Sequence, residues 1–130
     1  MNRIAWLSGL AFGLGALVLL AVPQEISFSR DVKPILDKEC TSCHKTKRMK
    51  ADLDLSGDNA LKNLLNVPSS QVPDMVRVKP GDPEQSYLWL KLDHRAQKGG
   101  GMPKIFVFSK RLHQDKLDLI KAWIAGGAKE

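Results

Sequence analysis

Only two cysteines, Cys40 and Cys43, occur among the 130 residues. So few thiols exclude a disulfide-stapled scaffold. A four-ligand zinc site is excluded as well, because no second cysteine pair exists and His94 and His113 lie far apart in the sequence. Aromatic residues make up 6% and tyrosine occurs once; there is no internal repeat and no low-complexity tract, which removes solenoids and propellers. The net charge is +6, but no nucleic-acid-binding motif accompanies it, so nucleic acid is not an expected partner. Nothing before Cys40 reads as a strand opening a βαβ unit, the usual setting of a thioredoxin-like dithiol. With 43% hydrophobic and 26% charged residues the chain has an ordinary globular composition with room for one domain.

The longest uncharged run lies at the head. Met1-Asn2-Arg3 supplies a positive start, Ile4 to Val22 carries no charge, and Pro23 closes the stretch. Residues 1–22 are therefore expected to be a signal peptide or an N-terminal membrane anchor. Leu19-Leu20-Ala21 is the best cleavage point, while the length of the run and Trp6 suit a retained span, so membrane association through residues 4–22 stays open. Both outcomes export the remainder, to the periplasm or to the outer face of the cytoplasmic membrane.

Both cysteines fall in Cys40-Thr41-Ser42-Cys43-His44, and C-x-x-C-H is the attachment pattern for a c-type haem. The spacing has a chemical reason. Two thiols three positions apart can each add to one of two neighbouring porphyrin vinyl groups, and the histidine that follows is held beneath the iron as proximal axial ligand. The expected cofactor is one covalently bound haem c, with Cys40 and Cys43 as thioether residues and His44 on the iron. A large buried porphyrin also supplies apolar surface to a core that is thin for about a hundred residues.

Beyond the head the pattern is of short helices between long loops. Ser29 is expected to cap a helix running toward Cys40, with Val32, Ile35 and Leu36 on one face and Pro34 near its start. Ala51 to Leu55 alternates like a short strand and a brief helix follows over Asn59 to Leu65. Asp82-Pro83-Glu84-Gln85 opens a helix reaching about Leu92, and a last helix covers Gln114 to Ala125. There Leu117, Ile120 and Ile124 form a stripe that Leu119 and Trp123 widen, and Gly126-Gly127 stop it. Trp89 and Trp123 are either cofactor neighbours or plain core.

The second axial ligand decides what the iron can do. Met49 follows His44 too closely to reach the opposite face. Met102 stands in Gly99-Gly100-Gly101-Met102-Pro103, where glycines let the backbone run close to a flat ring and the proline fixes the exit. Met102 is the expected distal ligand; Met75, His94 and an open position are the alternatives, and a gap-filling core methionine is the bland reading.

These pieces resemble a known family, the small monohaem cytochromes c, and within it the planctomycete-type cytochrome c domain. The resemblance covers residues 28–128. It rests on Phe28-Ser29-Arg30-Asp31-Val32-Lys33-Pro34-Ile35-Leu36 ahead of the haem motif, Ala51-Asp52-Leu53-Asp54-Leu55, and Lys79-Pro80-Gly81-Asp82-Pro83-Glu84-Gln85-Ser86-Tyr87-Leu88. Met102-Pro103 and Lys121-Ala122-Trp123-Ile124-Ala125-Gly126-Gly127-Ala128 complete it. It implies an all-α, class I-like cytochrome c fold over residues 26–130, with short helices and long loops around one haem. The terminal helices would cross beside the cofactor and a methionine loop would close its other face. Such domains often precede much larger partners in one chain, whereas this sequence closes soon after the last matching piece, so a carrier without attached domains is expected.

A methionine thioether opposite an imidazole raises the reduction potential and leaves no vacant position on the iron. The expectation is therefore an electron-transfer protein cycling between Fe(III) and Fe(II), not an enzyme. The alternative is a haem-based sensor or small haem enzyme with an open or displaceable distal site. Lys45, Lys47, Arg48 and Lys50 follow the motif, and Lys104, Lys110 and Arg111 follow the ligand loop. They either ring an exposed haem edge, where an acidic redox partner protein would be steered, or are ordinary solvated charges.

Overall fold

The chain begins its regular structure at Ser27. Its hydroxyl accepts from Arg30 N at 3.3 Å while the Asp31 carboxylate accepts from Ser27 N at 2.9 Å, a reciprocal cap. In this computed structural model residues 24–130 are described; the expected signal or anchor over 1–22 lies outside them. The cap is thus Ser27 and not Ser29, two residues earlier than the sequence suggested. The first turns, Phe28–Val32, are wound as a π-helix with Lys33 N donating to Phe28 O, and helix α1 continues over Lys33–Glu39. The widened turn falls where Pro34 has no N–H to offer and would crowd the carbonyl four residues back.

Helix α4, Gln114–Ala125, matches its expected bounds. Its end is a Schellman motif: Ala128 N donates to Trp123 O at 2.9 Å and Gly127 N to Ile124 O at 3.1 Å, with Gly127 at φ +100°. α4 runs antiparallel to the Phe28–Glu39 segment and is tied to it at both ends. Phe28 N donates to Lys129 O at 3.0 Å at one end, and Lys116 pairs with Glu39 at 2.5 Å at the other. Between these ties Phe28, Val32 and Leu36 bury against Leu117, Ile120, Trp123 and Ile124, and the rings of Phe28 and Trp123 lie 5.4 Å apart.

The middle of the chain is less regular. Ala51 to Leu55 does not form the alternating strand; a 3₁₀ turn occupies Lys50–Asp52. Helix α2 is short, Ala60–Leu64. The expected helix from Asp82 to Leu92 is split: Asp82 caps a 3₁₀ turn over Pro83–Gln85, accepting from Gln85 N at 3.1 Å, and α3 spans Tyr87–Leu92. Ser86 makes the break. Its side chain bridges Lys79 N at 2.9 Å and Asp82 O at 2.8 Å, while Tyr87 N and Leu88 N turn to the carbonyls of Val76 and Arg77. Tertiary bonds replace the helical ones.

Two small antiparallel hairpins complete the chain, β1 (His44–Lys45) with β2 (Arg48–Met49), and β3 (Lys104–Ile105) with β4 (Phe108–Ser109). The protein is therefore mostly helical but not all-α. The hairpins arise where the loops after the cysteine motif and after Met102-Pro103 double back and pair their own backbone. Among the described residues no helix is long and apolar enough to cross a membrane.

Candidate functional site

The last turn of α1 delivers Cys40, and the chain then winds tightly. Cys40 O accepts from both Cys43 N (3.1 Å) and His44 N (3.0 Å), bringing the two cysteines and the histidine to one side. Both cysteines are free thiols. Burial pushes the Cys40 thiol up to about 12, with Glu39 and Asp37 adding to it. A redox-active dithiol needs the opposite, a thiolate stabilised by a nearby positive charge.

His44 is oriented by the backbone that follows it. Its Nδ1 lies 2.9 Å from Lys50 O. A carbonyl only accepts, so Nδ1 carries the proton and Nε2 keeps the lone pair. Partial burial lowers the ring's proton affinity, more than the hydrogen bond to Lys50 restores it. The imidazole is neutral, with one nitrogen available to a metal.

Cys40, Cys43 and His44 all line one cavity of about 520 Å³, and Met102 lines it too. This is the size class of small-molecule and cofactor sites. Leu53, Leu55, Leu64, Leu88 and Leu92 supply apolar wall; Arg77, Lys91 and Tyr87 supply polar groups. Met75 and His94 do not line it, and Met49 is half exposed on β2. Trp89 and Trp123 do not line it either: both are buried in the core.

The glycine loop is strapped to α3 by residues that the motif reading did not single out. Tyr87 Oη donates to Lys98 O at 2.9 Å, Lys91 Nζ donates to the carbonyls of Lys98 and Gly100, and Met102 N donates to Lys91 O at 2.9 Å. The spacing of Tyr87 and Lys91, four apart on one helix face, was the available signal. His94 Nε2 approaches Met102 O at 3.3 Å. Gly101 passes so near this ring that a Cβ there would lie 2.4 Å from it, whereas Gly99 and Gly100 adopt positive φ.

At the rim the β3–β4 hairpin projects apolar residues. Phe106, Val107 and Phe108 are 94%, 81% and 74% exposed. Phe106 and Lys104 border the cavity, as do Arg48 and Lys50 from the other hairpin. Arg111 is turned aside to Asp93 at 2.8 Å.

Comparison with known proteins returns one described neighbour. The chain is similar to a solved structure of Kuenenia stuttgartiensis hydrazine synthase, with 27% sequence identity and a TM-score of 0.55. The match covers 79% of this chain and 16% of that one. No family model and no curated protein matches.

Proposed function

We propose that this protein is a monohaem c-type cytochrome that carries electrons and is not itself an enzyme. Haem c supplies a one-electron Fe(III)/Fe(II) couple. Cys40 and Cys43 hold the porphyrin by thioether bonds, His44 Nε2 is the proximal ligand and the Met102 sulfur the distal one. The observation that carries this reading is the convergence of all four side chains on one largely apolar cavity, with His44 already in the ligating tautomer.

The donor set suits the group. A neutral imidazole nitrogen and a thioether sulfur are typical haem axial ligands, and leucines from four segments of the chain exclude water around them. Lys50 O keeps the imidazole from turning, and the bonds from Tyr87 and Lys91 to the glycine loop restrain Met102. Such restraint limits rearrangement between oxidation states and keeps the distal position filled. The similarity to part of a planctomycete hydrazine synthase agrees with the planctomycete-type cytochrome c resemblance and the class I-like fold. The chain matches only 16% of that protein, so nothing of its activity is transferred.

The redox partner we propose is an acidic protein with an apolar recess. Arg48, Lys50 and Lys104 border the cavity, and the exposed Phe106–Phe108 tip beside them provides an aromatic anchor within a charged rim. Export to the periplasm or the outer membrane face follows from the head and from where c-type haem is attached.

The test is expression with haem-attachment machinery, followed by intact mass and absorbance spectroscopy. The mass should rise by one haem and the pigment should survive acidic acetone, with low-spin bands in both oxidation states. Colourless protein, or pigment lost to acetone, refutes the reading. Rapid binding of carbon monoxide would transfer it to a sensor or small haem enzyme with a displaceable distal ligand.

A further inference from the structure

Two cations in the cavity wall have no anion to match them. Arg77, half-buried between α2 and α3, donates from Nη1 to Asn63 O at 2.8 Å and from Nη2 to Asp52 O at 2.7 Å. Lys91 on α3 is only 8% exposed; its Nζ donates to the carbonyls of Lys98 and Gly100 and lies 5.1 Å from the Tyr87 ring centroid. Among the described residues neither has a carboxylate at ion-pair distance. Asp52 is near enough to Arg77 to be felt but does not reach it, and the charge felt by Lys91 is the like charge of Lys104. The one carboxylate of the wall, Glu39, is already taken by Lys116.

Carbonyls satisfy N–H groups but do not neutralise a charge, and a buried cation without a counter-ion is costly. Both groups also have N–H donors to spare: a guanidinium has five and an ammonium three. Desolvation accordingly disfavours the charged form of each. Elsewhere the chain pairs its partly buried charges, as Asp93 does with Arg95 and Arg111. An anionic ligand in the cavity would remove the imbalance.

We infer that Arg77 and Lys91 form a carboxylate-binding subsite of this cavity, which takes the two propionates of the bound porphyrin. The inference rests on the haem reading above and specifies the polar end of that site. A porphyrin carries its propionates on the edge remote from its vinyl groups. Arg77 and Lys91 come from segments other than the one bearing the two thiols, as that arrangement requires. Positive charge held there favours the reduced iron.

The test is optical redox titration of the holoprotein with Arg77→Gln, Arg77→Lys and Lys91→Met variants. Arg77 does not touch the methionine loop, so Arg77→Gln should keep the low-spin spectrum. Its Fe(III)/Fe(II) equilibrium should shift about tenfold toward Fe(III), a fall of about 59 mV for one electron. Arg77→Lys should recover most of this. Lys91→Met should shift the same way and also raise carbon monoxide access, because Lys91 straps the loop. Potentials within twofold of the parent equilibrium in both Arg77→Gln and Lys91→Met would overturn the subsite. Should those variants not fold, infrared difference spectra of the parent with carboxyl-labelled haem decide: hydrogen-bonded propionate bands support the subsite and free, solvated ones overturn it. Protein without covalent pigment overturns the haem reading and this inference together, whereas pigmented protein with unmoved potentials overturns this inference alone.

Discussion

His44 and Met102 are positioned by opposite means, one by a backbone carbonyl fixed close by in sequence and the other by a helix that reaches across to its loop. Lys50 O selects the imidazole tautomer at 2.9 Å, whereas Met102 depends on Lys91 O and on the narrow passage of Gly101 beside His94. Met102→Ala is therefore expected to lose the low-spin methionine-ligated spectrum and to fall in potential, which absorbance and redox titration will show. Gly101→Ala forces a Cβ to 2.4 Å from the His94 ring, so the loop must move. That variant should keep its covalent haem yet bind carbon monoxide much faster than the parent in stopped-flow. The thioether pair and proximal histidine were legible because five consecutive residues hold them. The straps from Tyr87 and Lys91 were not, because they are contacts between residues 7 to 11 positions apart that form only once the loop folds over α3.

At the scale of elements, the helix ends carry measurable stability. Gly127 sits at φ +100° in the Schellman turn of α4; Gly127→Ala should cost about 1–2 kcal/mol, the penalty for an L side chain in left-handed backbone, visible as a lowered Tm. Asp93, just beyond α3, is pinned by Arg111 and Arg95, and these pairs hold its carboxyl below the usual range. A depressed carboxylate stabilises the fold fully above its unfolded value, about 3.9, and that contribution is lost as pH falls through the lower folded value. Glu39, lowered by Lys116, behaves likewise. Denaturation midpoints should thus fall below about pH 4 and flatten there in Asp93→Asn. α4 was readable to the residue because its apolar stripe and closing glycines are local. The break at Ser86 was not, since it is made by bonds to Lys79 and by the pairing of Tyr87 and Leu88 with Val76 and Arg77.

Across the whole molecule, two features follow from the cavity. The antiparallel pairing of α1 and α4 closes the core behind it, and Trp123, 1% exposed between Phe28 and the C-terminal turn, is the largest piece of that closure. Trp123→Ala should cost about 3–5 kcal/mol in denaturant unfolding of the holoprotein. In front of the cavity the basic border and the apolar hairpin tip face solvent. Association with an acidic redox partner should slow steeply as ionic strength rises, and Lys104→Glu should reduce the association rate while leaving the spectrum unchanged. Phe106→Ser should instead act on dissociation, as loss of a desolvated anchor does.

Covalent spacing and helical periodicity are properties of neighbouring residues, so the amino-acid sequence alone determined the cysteine–histidine cluster, the terminal helices and the choice of Met102 over the other methionines as the candidate facing it. Which groups share the cavity, and which cations are left without anions inside it, depended on segments far apart in the chain coming together. Only the tertiary structure decided those, because burial and charge pairing belong to the packed molecule and not to any stretch of its sequence.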